Sequence, residues 1–198
     1  MDARPSAFGK LVLLIGPSGV GKSVIIKRLR VLHPDLHIPR SATTRARRPG
    51  EGDEIYRFVT NEEFDRLIAE NKLIEWASIH GGIARSGTPV DEILPALEAG
   101  KTAVREVDVQ GFEFYRHHEM FAGEHAKYTL QSIFVLPESI AQLVDHIKKR
   151  APITDEELTQ RIHSMETEFT YADQCDARVL NREGEIENTV KEVEKLIL

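Results

Sequence analysis

The stretch Lys10-Leu11-Val12-Leu13-Leu14-Ile15-Gly16-Pro17-Ser18-Gly19-Val20-Gly21-Lys22-Ser23-Val24-Ile25-Ile26-Lys27-Arg28-Leu29-Arg30 decides how this chain is read. Its centre, Gly16, Pro17, Ser18, Gly19, Val20, Gly21, Lys22 and Ser23, is a complete G-x-x-x-x-G-K-[ST] phosphate-binding loop. Glycines let the backbone wrap tightly, so that successive N–H groups point inward at a polyphosphate. Lys22 has the reach for the β- and γ-phosphates, and the Ser23 hydroxyl is a direct ligand for Mg²⁺. The apolar run Lys10–Ile15 reads as a buried parallel strand. Val24–Arg30 reads as a helix whose N-terminus adds its dipole to the anion site. Strand, loop and helix in that order are the context the motif requires.

Outward from the loop, bulk properties narrow the possibilities. A chain of 198 residues suffices for one domain with a real core. With 26 Lys and Arg against 32 Asp and Glu, the net charge is -6, so no global basic field recruits nucleic acid. A local basic cluster, Arg40, Arg45, Arg47 and Arg48, suits a small anionic substrate better than a nucleic-acid backbone. The single cysteine, Cys175, excludes an intrachain disulfide or a cysteine-based metal site and fits a reducing cytoplasm; it reads as a packed, small apolar residue. The N-terminus carries no signal-peptide pattern and no apolar stretch is long enough to span a membrane, so a cytoplasmic location is expected.

Strand-like and helix-like segments alternate, which argues for a parallel α/β sheet. Arg45–Ile55 is an irregular polar loop. Thr60-x-x-Glu63 is a capping box opening a helix through Asn71, with Phe64, Leu67 and Ile68 on its apolar face. Thr88 before Pro89 opens another helix and Gly100 closes it; Thr102–Val109 then reads as a strand. Ser132–Leu136 is the next buried strand, Ser139–Lys149 a helix, and Thr154-x-x-Glu157 caps a longer helix toward Tyr171. Ala177–Leu180 is a short strand, and Ile186, Val190, Val193 and Ile197 share one face of the last helix.

Several further motifs stand in register behind the loop: Ser41-Ala42-Thr43-Thr44-Arg45-Ala46-Arg47-Arg48-Pro49-Gly50-Glu51, Tyr56-Arg57-Phe58-Val59, Glu75-Trp76-Ala77, Gly81, Ser86-Gly87 and Glu106-Val107-Asp108-Val109-Gln110-Gly111. Together they closely resemble guanylate kinase, over nearly the whole chain and most densely from Lys10 to Gly111. The resemblance implies an α/β, P-loop nucleoside monophosphate kinase fold, with a parallel-sheet core that carries ATP. An inserted GMP-binding subdomain, about residues 38–90, and a lid, about residues 139–168, are implied with it. The core is then residues 1–37, 91–138 and 169–198. The implied reaction is phosphoryl transfer from ATP to GMP giving ADP and GDP, a step of guanine-nucleotide synthesis and recycling, with Mg²⁺. The implied partners are these two small molecules, with no nucleic acid and no membrane, in a monomer or a homodimer. Two other roles fit a chain of this resemblance: a phosphopeptide-binding module, typical of chains with damaged phosphate loops, and a kinase for another small phosphorylated substrate.

The residue types match that chemistry. Guanine presents N1–H and N2–H₂ as donors and O6 and N7 as acceptors. Glu75 and Asp108 supply carboxylate acceptors, and Ser41 and Ser86 supply hydroxyl donors. Adenine would leave these groups unpaired, which rejects it. Arg45, Arg48 and Tyr56 match the family's positions for the GMP phosphate, and Arg150 and Arg161 match two lid arginines. With Lys22 and Arg45 they neutralise the charge on the transferred group, and Glu106 holds a water on Mg²⁺. Asn181 falls where the family contacts the region of the nucleotide base.

The chain departs from the family pattern at four places, one of them the loop before Tyr56, which is one residue shorter than usual. Ala84-Arg85 stands in place of a Tyr-Gly pair whose tyrosine donates to the GMP phosphate; either the phosphate has one partner fewer or, the favoured reading, Arg85 takes over that donation. His146 stands in place of another lid arginine and carries charge there if the phosphates favour its protonated form. Asn181-Arg182 replaces the family's Asn-Asp pair.

Overall fold

In the computed structural model, which describes residues 8–47, 51–79, 84–150 and 153–198, the run Lys10–Ile15 forms strand β1. Leu11 to Ile15 are fully buried, because the strand is covered on both faces. β1 pairs in parallel with β6 (Thr102–Glu106) on one side and β7 (Thr129–Pro137) on the other, and β8 (Ala177–Asn181) joins β7 in parallel. Val12 and Leu14 point into a cluster with Ile25 and Leu29 of α1 (Lys22–Leu32), Leu143 of α5 (Ile140–Arg150), Met165 of α6 (Asp155–Phe169) and Val193 of α7 (Ile186–Ile197). Leu11, Leu13 and Ile15 point the other way, against Ile93 and Leu97 of α3 (Val90–Glu98) and Phe112 and Tyr115 of α4 (Val109–His117). The period of two along β1 thus feeds two cores, one on each face.

The second sheet is built from residues 41–89. Its order is β3 (Tyr56–Phe58), β2 (Ser41–Thr43), β5 (Ala84–Pro89), β4 (Leu73–Ile79), with β2 and β3 parallel and the remaining pairs antiparallel. Helix α2 (Asn61–Ala69) covers it. Its capping box is formed, with Glu63 N–H donating to Thr60 Oγ1 at 3.1 Å and Thr60 N–H to Glu63 Oε2 at 2.8 Å. Phe64 is fully buried and meets Trp76 edge-on. Arg40, entering this sheet, donates from Nη2 and from its backbone N–H to the Glu92 carboxylate on α3, at 2.6 and 3.1 Å, so the entry and exit of the segment are tied together.

Two boundaries differ from the sequence expectation. Thr88 does not open α3. It is the fully buried penultimate residue of β5, and Pro89 occupies the cap position instead. The expected strand Thr102–Val109 stops at Glu106, because Asp108 turns the chain by capping α4, its Oδ1 accepting from Gly111 N–H at 2.8 Å. The capping box at Thr154 and Glu157 is present and opens α6 as expected. Cys175 packs in the second core cluster, and burial pushes its thiol up to about 11, as expected of an unreactive apolar filler. Among the described residues no helix is long and apolar enough to cross a membrane.

Candidate nucleotide site

The phosphate loop leaves β1 at the C-terminal edge of the parallel sheet and enters α1. Gly16, Gly19 and Gly21 all have positive φ, at 143°, 87° and 101°. A Cβ on Gly16 would stand 2.5 Å from the Val135 carbonyl oxygen, so glycine is required there on steric as well as conformational grounds. Lys22 Nζ donates to the carbonyls of Gly16 and Pro17. The loop is also held from outside. Asn181, at the end of β8 and almost fully buried, donates from Nδ2 to the Val20 carbonyl at 2.8 Å and accepts from Thr189 Oγ1 at 3.0 Å. His146 on α5 places Nδ1 2.9 Å from the Gly19 carbonyl and Nε2 3.0 Å from a Glu183 carboxylate oxygen. Asn181 and His146 therefore brace the loop backbone. Asn181→Ala removes the donor to a buried loop carbonyl and is expected to cost about 1–3 kcal/mol, measured by urea denaturation.

Ser23 Oγ donates to Glu106 Oε2 at 2.7 Å, joining the start of α1 to the end of β6. From this point a cavity of about 430 Å³ runs toward the second sheet. Its walls include Ser23 and Glu106 at one end and Ser41, Tyr56, Glu75, Ser86 and Asp108 beyond them. These seven positions, scattered from 23 to 108, were each expected at a nucleotide site, and the fold brings them to one cavity. Register explains the convergence: Ser86 on β5 lies opposite Thr43 on β2 and Ala77 on β4. Asp108 contributes one carboxylate oxygen to the α4 cap, at the cavity wall.

Of the arginines, Arg45 makes a forked pair with Glu51, Nη1 to Oε2 at 2.8 Å and Nη2 to Oε1 at 2.5 Å, with its guanidinium 4.8 Å from the Tyr56 ring centre. The bonds to Glu51 hold Arg45 above the usual arginine value, so it is a permanent cation. The same fork fits phosphate oxygens. Arg48 lies outside the described residues, as does the side chain of Arg150. Arg161 is exposed on α6 and is not part of the cavity wall. Arg85 does not take the place expected of it. Its side chain turns to α2, pairing with Asp65 at 2.5 Å, donating to the Asn61 carbonyl at 2.9 Å and covering the Phe64 ring. The alternation of β5 is the reason: Ser86 faces the cavity, so its neighbour faces away.

Glu168 on α6 is a partly buried carboxyl raised above the ordinary glutamate value of 4.5, chiefly by burial; the Lys22 ammonium opposes the rise and the Asp108 carboxylate adds to it. A raised folded value means the native state holds this proton more tightly than the unfolded chain. The associated stability is complete below pH 4.5 and is lost as pH rises through the folded value. Glu168→Gln should therefore gain stability over the parent as pH increases from 4.5 toward neutrality, read by urea denaturation of the ligand-free protein at each pH.

Sequence reasoning passed over three wall or support residues. Phe114 and Trp76 are half-exposed aromatics at the cavity. Arg105 is 9% exposed, on the face of β6 opposite Glu106. The available signal was a guanidinium inside the buried run Ala103-Val104-Arg105, since a charge in that place must have a buried partner.

Comparison with known proteins identifies the family of the chain. A family model described as guanylate kinase matches residues 8–198. The chain is 41% identical over 176 residues to a guanylate kinase of Nocardia farcinica, covering 88% of this chain and 87% of that protein. It is 37% identical over 198 residues to one from Streptomyces kasugaensis, covering all of this chain and 89% of that protein. The crystal structure of guanylate kinase from Anaplasma phagocytophilum superposes with a TM-score of 0.67 at 24% identity, over 96% of this chain and 85% of that one, which establishes the shared fold. With a family match across the whole described fold, the chain belongs to the guanylate kinase family.

Proposed function

We propose that this protein transfers the γ-phosphoryl group of ATP to the phosphate of GMP, giving ADP and GDP. The observation that carries this is the single cavity with Ser23 and Glu106 at one end and Ser41, Glu75, Ser86 and Asp108 lining the remainder. The phosphate loop, Gly16 to Ser23, cradles the ATP phosphates, and Lys22 leaves the loop carbonyls to meet their charge. The serine hydroxyl and glutamate carboxylate are two hard oxygen donors 2.7 Å apart, a set that suits Mg²⁺, which takes few protein ligands beside phosphate oxygens and water. Ser23 would hold the ion directly and Glu106 through water; when bound, it supplies charge neutralisation between the phosphates.

Glu75 and Asp108 accept from the guanine N1–H and N2–H₂, while Ser41 and Ser86 donate to its acceptor edge. Arg45, Arg48 and Tyr56 hold the GMP phosphate. For Arg45 this means exchanging the Glu51 carboxylate, which already occupies its fork, for phosphate oxygens. Arg150 and Arg161 approach from the segment 139–168 as it closes and excludes water. No strong base is required, since the attacking oxygen belongs to a phosphate dianion; alignment and charge neutralisation supply the rate.

Specificity provides the test. Purified protein with ATP and Mg²⁺ is offered GMP, dGMP, AMP, CMP and UMP in turn, with ADP formation followed by a coupled assay. Guanine nucleotides should be used at least about 10⁴-fold better than AMP, the discrimination expected of a site built to hydrogen-bond the base. Comparable use of AMP would assign the cavity to another substrate, and no turnover with any of the five would point to a binding module.

A further inference from the structure

Glu75 and Ser23 are held by adjacent residues of one strand. On β6, Glu106 points to one face and accepts from Ser23. Arg105 points to the other face and donates from Nη2 to Glu75 Oε1 at 3.1 Å. Arg105 belongs to the core sheet and Glu75 to the second sheet, so this ion pair crosses from one sheet to the other. Both side chains are largely withdrawn from water, with 10% and 17% of their surface exposed. The fully buried Thr88 hydroxyl donates to the same oxygen, Glu75 Oε1. Tyr115 closes the cluster from α4, its hydroxyl pushed up to about 12, first by burial, and so neutral at physiological pH. Two donors on Oε1 fix the carboxylate plane and leave Oε2 to be presented to a ligand. Arg105 also lines the cavity, and its Nε–H is buried with no partner among the described residues.

We propose that Arg105, together with Thr88, is the positioning residue of the guanine-recognising carboxylate, fixing Glu75 against the core strand that also carries Glu106. The inference rests on Glu75 being the base acceptor described above. A carboxylate whose rotamer is already set forgoes less conformational freedom on binding, and its hydrogen bonds to the base are better aligned. Loss of Arg105 leaves Glu75 held by Thr88 alone and its buried charge uncompensated. The penalty should therefore fall on GMP binding and not on the ATP side.

Steady-state kinetics of Arg105→Leu, Arg105→Lys, Glu75→Gln and the doubles of each Arg105 variant with Glu75→Gln test this, with folding checked by circular dichroism. Arg105→Leu should raise KM for GMP about 10-fold, with KM for ATP unchanged and kcat little affected. Arg105→Lys, which keeps the charge but not the fork, should fall between it and the parent; it carries the test if the leucine variant does not fold. In the doubles, KM for GMP should match that of Glu75→Gln alone, since a positioning residue has nothing left to position. Fully multiplicative effects would show that Arg105 touches the base independently of Glu75 and would overturn the proposal. So would an unchanged KM in both Arg105 variants while Glu75→Gln raises it. If Glu75→Gln itself leaves KM for GMP unchanged, the assignment of the pocket is at fault, and the proposal falls with it.

Discussion

Lys22→Ala should lower kcat by about 10³-fold while the protein stays folded. The Lys22 ammonium stands on the loop carbonyls of Gly16 and Pro17, at the mouth of α1, where in the proposed reaction charge on the transferred phosphoryl group develops. It is a compact point charge on a flexible stem, able to exchange carbonyl oxygens for phosphate oxygens within the same small volume. An interaction that strengthens as the phosphoryl group moves acts on the transition state, so its loss appears in kcat rather than in substrate binding alone. The alanine variant loses the side-chain bonds to the phosphate-loop carbonyls, and the cores on both faces of the parallel sheet do not involve Lys22. A thermal midpoint close to that of the parent, together with the collapse in kcat, is the expected pair of results. Turnover within tenfold of the parent in a folded variant would remove Lys22 from the machinery.

Glu75→Gln should raise KM for GMP by roughly 10- to 150-fold, the range for losing one charge-assisted hydrogen bond. The substitution keeps shape but replaces a carboxylate by an amide with two donors of its own. In the proposed site guanine offers donors to this position, so an NH₂ turned toward the base would meet N–H groups head-on. Turned inward, it meets the Arg105 guanidinium and the Thr88 hydroxyl, which already donate to this side chain. Neither orientation satisfies both sides. Titration of GMP at saturating ATP separates this from a general loss of activity: kcat should fall much less than KM rises.

These two residues show how differently parts of the site were legible in the sequence. Lys22 is readable because every element of its setting is local: a buried strand, eight loop residues and a helix follow one another without interruption. Glu75 is readable only through several motifs standing in register, since its partners come from β2, β5 and the turn after β6, brought together by sheet order. The strands β2 and β3 have three residues each, too few for an alternation to show. Arg85 stands on β5, where Ala84-Arg85-Ser86-Gly87-Thr88-Pro89 shows no apolar–polar alternation, so its turn toward α2 is not visible in the sequence. Thr88 carries an ordinary helix-opening signal before a proline, yet tertiary packing places it in a strand with its hydroxyl on Glu75. Resemblance puts Asn181 near the nucleotide base region, but no local pattern shows that its buried side chain supports the Val20 carbonyl of the phosphate loop. In each case the missing information is a contact between residues far apart in sequence, which no local pattern encodes.

The most direct measurement follows the phosphoryl group itself. ATP carrying a radiolabel on its γ-phosphate is incubated with the protein, Mg²⁺ and GMP, and the products are separated by anion-exchange chromatography. The label should be recovered in the β-phosphate of GDP, in step with the formation of unlabelled ADP. Label that remains in ATP, or that appears as inorganic phosphate while GMP is unchanged, would contradict transfer between the two nucleotides.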